Sequence, residues 1–316
     1  MTASVLVYSM GEVIGDGLIK LPFVAGLRAA FPDATISWCA AKGSTVYAGL
    51  LKPVVEGLID EFVTEGPTGA GPLDWAPWVR PFGGRTFDLV IDTQENVRRS
   101  LVAKRAGRRF VSAAGRNDLP EAVIDRLGAL LAETTPGAAL QPLVLTNERA
   151  LSAAEALLPA GPSYIGFAPG AGGQEKRWPL ENYIALAKRE EERGRVPVFF
   201  FGPDEDADAA MTATALPDAL FPEAERTDPY TDIKGPLLVI ALASRLAAAV
   251  ANDAGPGHML AAGGAPLLSL QRDRRKAVKF RPAAWRLELL VAEDYGGGMD
   301  ALPLDTAAEA LERLLA

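Results

Sequence analysis

Three junctions along the chain combine glycine, acid and base in ways that chemistry can use. In "LAAAVANDAGPGHML" (246–260) an apolar run ends on Asn252 and Asp253, a Gly-Pro-Gly turn follows, and a helical pattern opens with His258 in its first turn. His258 is the single histidine among 316 residues. A helix N-terminus offers unpaired amide N–H groups and the positive end of the helix dipole, so Ala254, Gly255 and Gly257 frame a phosphate site to which His258 adds a hydrogen bond. The structural alternative is a capping Asp253 beside a satisfied histidine. In "FAPGAGGQEKRWPLENY" (167–183) a strand runs into a loop with Gly170, Gly172 and Gly173, then Lys176, Arg177, Trp178 and Pro179. Two cations beside glycine amides make an anion cradle; the alternative is a surface loop with solvated charges. In "YSMGEVIGDGLIKLP" (8–22) a glycine-rich turn precedes Asp16 near a helix start. Taken alone, Asp16 reads as an N-cap contributing about 1 kcal/mol. The spacing is not G-x-G-x-x-G, which excludes the dinucleotide fingerprint.

The elements that must position these residues follow from hydrophobic periodicity. Short apolar, β-branched runs predict strands over 4–9, 34–40, 87–93, 163–169, 196–202, 246–253 and 265–271, with a weaker one over 58–63. Helical periods cover 16–31, 96–107, 121–133, 180–194, 236–245, 255–264 and 306–316, and the Gly/Pro-rich stretch 64–85 reads as an exposed excursion. "TTPGAALQPLVLT" (134–146) breaks the rhythm with two prolines and marks a linker. Two β-α alternations joined by a linker predict an α/β protein of two doubly wound, Rossmann-like domains, 1–146 and 147–316, facing across a cleft that is the default ligand site. The last helix has the option of packing back on the N-terminal domain.

Composition narrows the function classes. The formal charge of −8 argues against nucleic acid as a partner. One cysteine, Cys39, excludes an internal disulfide and suits a buried strand in a reducing compartment. With one Cys and one His, a zinc site lacks ligands. The first residues lack a basic leader before a long apolar run, so no signal peptide is expected. No uninterrupted run of about 18 apolar residues occurs, so no membrane-spanning helix is expected either.

Taken together and in this order, "VIGDGLIKLP", "FDLVIDTQENVRRS", "EKRWPLENY" and "ANDAGPGHMLAAGGAP" resemble glycosyltransferase family 9, the ADP-heptose:lipopolysaccharide heptosyltransferases. The resemblance covers most of the chain and is weakest over 64–85 and 204–230. It implies a GT-B fold with an N-terminal acceptor domain and a C-terminal nucleotide-sugar domain. It also implies inverting transfer without a metal or other cofactor. By the same resemblance Asp16 is the base that takes the acceptor hydroxyl's proton. Lys176, the amides around Gly255 and Gly257, and His258 stabilise the diphosphate leaving group, with Asp253 beside the donor. Two departures bear on donor affinity. Ala254 stands where the family often has Thr or Ser, and Gly172 and Gly173 stand where it often has hydroxyl residues. ADP-heptose is the donor expected on family grounds.

From Val97 to Arg116 the chain carries seven Arg or Lys residues and no acid. A solvated helix face is the ordinary reading of such a block. In a domain expected to hold the acceptor, Arg98, Arg99 and Lys104 are candidates for binding an anionic glycolipid such as lipopolysaccharide core. A second basic stretch, "RDRRKAVKFR" (272–281), faces anionic lipid or the diphosphate on the same reasoning. The expected location is the cytoplasm, with peripheral contact at the inner face of the membrane. The competing readings are a non-catalytic nucleotide-sugar-binding relative and a GT-B nucleotide-sugar epimerase; the latter generally needs more carboxylates and histidines than these motifs hold.

Overall fold

The computed structural model describes residues 3–64, 68–224 and 226–316. The chain forms two compact units, Met1–Pro142 and Leu143–Ala316, and the division falls inside the proline-broken segment 134–146.

In the first unit β1 (Ser4–Ser9), α1 (Ile14–Ala30), β2 (Thr35–Ala40), β3 (Glu61–Val63), β4 (Phe87–Asp92), α2 (Val97–Lys104), β5 (Gly107–Ser112) and α3 (Val123–Ala132) follow in order. The sheet is parallel throughout, ordered β3-β2-β1-β4-β5, with Val5 opposite Ile36 on one side and Leu89 on the other. Helices on both faces of such a sheet demand strands apolar on both sides, and Val5, Leu6, Val7 and Tyr8 are all sealed from solvent. Cys39 lies buried in β2, where desolvation pushes its thiol up to about 12. Of the stretch 64–85, residues 65–67 lie outside the described residues, and the rest is not wholly an exposed excursion. Phe82 takes a left-handed φ of 52° that turns its ring inward, edge-on to Tyr8 at 5.8 Å and Phe87 at 6.3 Å.

The basic block departs from expectation. The helix predicted over 96–107 ends at Lys104, and the chain turns into edge strand β5, which carries Arg108 and Arg109 outward. Charges on an edge strand block further pairing, and they also mask its strand pattern in the sequence.

The second unit contains α4 (Glu148–Leu157), β6 (Tyr164–Ala168), α5 (Leu180–Glu192), β7 (Val196–Phe199), α6 (Asp206–Ala215), α7 (Pro236–Ala243), β8 (Leu246–Asn252), α8 (Gly255–Ala262), β9 (Leu267–Gln271), α9 (Arg274–Lys279), β10 (Leu287–Val291) and α10 (Leu304–Leu315). Its sheet is again parallel, ordered β10-β9-β8-β6-β7. Besides β5, the sequence reading omitted α4, α6, α9 and β10. α4 and α6 are alanine-rich, α6 with weak periodicity; α9 is cationic, and β10 is a short five-residue edge strand. The last helix, α10, is anchored in the second unit. Leu311 and Leu314 enter the core of its own sheet, and Glu312 pairs with Arg195 beside the buried Glu190.

Each sheet begins at an inner strand, fills one side, then returns to fill the other. The reversal lies between β1 and β4 in the first unit and between β6 and β8 in the second. Loops leaving the C-terminal ends of those strand pairs diverge, and the crevice between them is where doubly wound sheets bind ligands.

Candidate functional site

In the second unit the crevice is built by the end of β8 and the loop after β6. Asn252, buried at the last position of β8, donates its amide to the Pro169 carbonyl at 2.6 Å. Its oxygen accepts the Trp178 backbone N–H at 3.1 Å. One side chain thus pins both ends of the 169–178 loop to the sheet. Trp178 is locked from the other side: its indole N–H donates to the Leu302 carbonyl at 3.0 Å, and its ring meets Tyr183 edge-on at 5.0 Å. This frame carries Lys176 to 3.3 Å from the Asp253 carboxylate, with 35% of the lysine side chain still open to solvent.

Behind them α8 begins. Ala254 is its N-cap in extended geometry (φ −155°, ψ 171°) and provides no side-chain cap. The first-turn amides of Gly255 and Gly257 therefore point outward unpaired, while Pro256 has no N–H to offer. Glycine at 257 has a steric reason: a Cβ there would lie 3.1 Å from both Ala251 Cβ and the Asn252 carbonyl. His258 sits one residue deeper, buried, with Nδ1 sealed and without a partner. Burial pushes its imidazole down to about 4; Lys176 adds to the lowering and Asp253 opposes it. The histidine is consequently neutral near pH 7 and acts as a hydrogen-bonding group, leaving Lys176 and the helix terminus as the positive charge of the site.

Of the two cations expected to cradle an anion, only Lys176 remains available. Arg177 turns away, donating to the Ala171 carbonyl and pairing with Glu205 at 3.1 Å and Asp208 at 3.3 Å. Gly172 borders open space, since a Cβ there would meet nothing within 4 Å, whereas one at Gly173 would meet the flexible end of Glu175. Glu205 also accepts the Gly202 amide at 2.8 Å and so links this loop to a pocket of about 310 Å³ beyond β7. Phe199, Phe201 and Phe221, mutually stacked, form its aromatic wall, and Glu223 stands at its edge. No short-range motif announced this pocket, because the rings come from two segments about twenty residues apart. Among the described residues, no three His, Cys, Asp or Glu side chains gather as a metal site would.

In the first unit the structure corrects the cap reading of Asp16. Val13 is the N-cap of α1, and Asp16 lies at the third helical position, half-buried, bonded to no other described residue. One turn on, Lys20 donates to Ser9 Oγ at 2.8 Å and to Glu12 Oε1 at 2.9 Å. Glu12 is buried and its second oxygen has no partner. The turn passes so close to the segment following β2 that a Cβ on Gly11 would lie 2.4 Å from the Lys42 carbonyl. The Glu12–Lys20 pair was missed in the sequence; its only signal was an acid and a base four residues either side of Asp16.

Across the reversal, β4 ends on Asp92, wholly buried. Burial raises its carboxyl, and Ser100, Ser112 (2.7 Å) and Gln94 (3.0 Å) donate to it. Gln94 in turn accepts the Asn96 amide at 2.7 Å, and Asn96 caps α2 by accepting the Arg99 amide at 3.2 Å. The "DTQENVRRS" segment is thereby a self-bonded turn that fixes the start of α2. Arg99 reaches from it to Met10 Sδ at 2.9 Å, bridging the β1 and β4 turns. Arg98 instead lies over the Trp75 ring at 5.8 Å, and Lys104 projects into solvent at the far end of the helix. The three candidate acceptor cations do not converge; Arg99 alone stands at the reversal. The other four cations of the block are engaged: Arg105 with the carbonyls of Ala76, Pro77 and Val79, Arg108 with Asp88, Arg109 with the carbonyls of Glu133 and Thr134, Arg116 with Asp118 and Glu133. In the second basic stretch, Arg274 pairs with Asp294.

Two parallel, doubly wound five-stranded sheets, each with a ligand crevice at its reversal, define a two-unit Rossmann-like α/β protein of the GT-B kind. The sequence profile of glycosyltransferase family 9 (heptosyltransferase) matches residues 78–295, and the chain belongs to that family. Membership implies glycosyltransferase activity. Solved structures agree over the whole chain. The glycosyl transferase family 9 protein from Veillonella parvula DSM 2008 is 19% identical with a TM-score of 0.67, covering 99% of this chain and 97% of that one. Escherichia coli ADP-heptose lps heptosyltransferase II is 18% identical with a TM-score of 0.63, covering 100% and 98%. E. coli heptosyltransferase WaaC with ADP is 14% identical with a TM-score of 0.66, covering 98% and 99%. At such identities the likeness concerns the fold. No curated protein matches the sequence.

Proposed function

We propose that the protein transfers a heptose, or a related sugar, from a nucleotide-sugar donor, ADP-heptose, to an anionic glycolipid acceptor of the lipopolysaccharide-core type, with inversion and without a metal. The observation that carries this is the junction of Lys176, the uncapped start of α8 and His258 at the reversal of the second sheet. A diphosphate there meets one ammonium, the amides of Gly255 and Gly257 and a neutral imidazole, with Asp253 holding the ammonium in place and the amides of Gly172 and Gly173 flanking the loop. The aromatic-walled pocket beyond β7 offers a stacking surface for the base. Names of two relatives support the donor class: heptosyltransferase II is described with ADP-heptose, and WaaC was solved with ADP and with a fluorinated ADP-heptose.

In the transfer step Asp16 accepts the acceptor hydroxyl's proton while that oxygen bonds to the anomeric carbon from the face opposite the leaving group. The bond from that carbon to the diphosphate oxygen breaks, and the diphosphate leaves with the electron pair. Its growing charge is met by Lys176, whose loop Asn252 and Trp178 already hold in place, and by the α8 amides. Lys20, on the same helix face as Asp16, is engaged by Glu12. Arg99, with Arg98 and Lys104 further along α2, supplies positive charge toward an anionic acceptor.

The test is calorimetric titration with ADP, ADP-heptose, UDP and UDP-sugars, together with transfer assays on Asp16→Asn. The expected result is selective adenine-nucleotide binding, unchanged in Asp16→Asn, with transfer reduced by about 10²-fold or more. A uridine preference replaces the donor, and normal transfer by Asp16→Asn removes the base assignment.

A further inference from the structure

Solvent-facing helix surfaces are ordinarily polar, and that of α2 carries large apolar side chains among its cations. Val97 and Leu101, one turn apart, are 53% and 58% exposed, and Lys104 and Arg105 continue the same outward stripe beside Arg98. The 72–80 segment extends this surface. Its short helical turn packs against α2, Arg98 lies over the Trp75 ring, and Arg105 ties down the carbonyls of Ala76, Pro77 and Val79. Held in that way, Leu73 and Trp78 stand 79% and 81% exposed. Single exposed apolar residues need no explanation, but Leu73, Trp78, Val97 and Leu101, with the partly exposed Trp75, gathered on two touching elements do. The charge around them is mostly positive, and Glu95, the exposed acid beside Val97, is neutralised by Arg126. Arg80 and Lys104 are exposed and unpaired among the described residues, and the nearby Asp74 turns its carboxylate onto the Gly69 and Gly71 amides.

We propose that this face, formed by α2 and the 72–80 segment, docks the protein peripherally on an anionic phospholipid bilayer. Trp78 and Leu73 enter the headgroup boundary, where tryptophan's amphipathic ring is favoured, and the Arg/Lys rim meets the lipid charge. Apolar residues alone would fit a second copy or another protein as well. The unbalanced cations interleaved with them select the anionic lipid surface.

The test is co-sedimentation of the full chain with vesicles of phosphatidylcholine alone and of phosphatidylcholine mixed with phosphatidylglycerol, at low and high salt. Neither vesicle contains a sugar acceptor or a nucleotide, so the outcome is independent of the transfer reading, which the ADP titration tests separately. Wild type binds the phosphatidylglycerol vesicles and is released by salt. The double substitution Leu73→Ala/Trp78→Ala lowers partitioning about tenfold or more, since each loses the burial of a large side chain. Arg80→Glu lowers it about fivefold or more at low salt. Both variants keep the wild-type melting temperature and ADP affinity, because these side chains are exposed. Absence of wild-type binding to the mixed vesicles overturns the proposal, as does a double variant that binds like wild type. A concentration-dependent dimer in sedimentation velocity, abolished by the double substitution, assigns the face to a second copy and overturns it too.

Discussion

His258 shows how much a single side chain's surroundings decide. A lone histidine at a helix start invites the picture of an imidazolium gripping phosphate, yet burial holds its folded-state value at about 4 against 6.5 for the free group. The neutral ring is the form the fold prefers. Folding is therefore favoured in full above about pH 6.5 and loses stability as pH falls from 6.5 toward 4, a change of order 3 kcal/mol. Chemical denaturation across that range is expected to show the loss in wild type and a flatter profile in His258→Gln. Because the chain has one histidine, its imidazole resonances are unambiguous in an NMR titration. The free protein is expected to titrate near 4, and ADP is expected to move the midpoint upward as the diphosphate places negative charge beside the ring. A midpoint indifferent to ADP would remove His258 from the donor site.

At the scale of elements, the donor crevice depends on how α8 starts and how the 169–178 loop is held. Ala254 leaves the helix uncapped. Ala254→Ser is expected to stabilise the second unit by about 1 kcal/mol and to tighten ADP binding by adding a hydroxyl donor. Gly172→Ser places a hydroxyl in the same loop at a position with free space, and is expected to leave stability nearly unchanged. Asn252→Leu has the opposite character. It strands the Trp178 N–H and the Pro169 carbonyl, at about 1–3 kcal/mol for each group left unpaired. It also releases Lys176 from its frame, so ADP affinity is expected to fall tenfold or more. If Asn252→Leu binds ADP as wild type does, the pinning account fails.

At the scale of the molecule, each unit closes its own sheet and core: Tyr8, Phe82 and Phe87 gather in one, Phe167, Trp178 and Tyr183 in the other. Differential scanning calorimetry is expected to resolve two transitions. With ADP at about a hundredfold its Kd, the transition of Leu143–Ala316 is expected to rise by the equivalent of about 2.7 kcal/mol, roughly 5–10 °C for a unit of that size. The other transition should stay in place. ADP raising the Met1–Pro142 transition instead would assign the nucleotide to the wrong half.

What the sequence determined by itself was local. Buried parallel strands such as "SVLVYS" and "FDLVID" are legible because strands covered on both faces carry near-continuous apolar runs. Asp16, Lys176, Asp253 and His258 were legible as candidates because strand-to-helix junctions carry glycines and charges at fixed offsets. Partnership was not legible, since it joins residues far apart in the chain. Arg177 and Lys176 are adjacent and alike in sequence, and it is Glu205 and Asp208, 28 and 31 residues on, that draw the arginine from the site. Asp92's bonds to Ser100 and Ser112, the ties from Arg105 that hold Trp78 outward, and the burial that neutralises His258 were all set by tertiary packing. Hydrophobic period fixes which way a residue faces along its own element; what it faces is decided only when another element arrives.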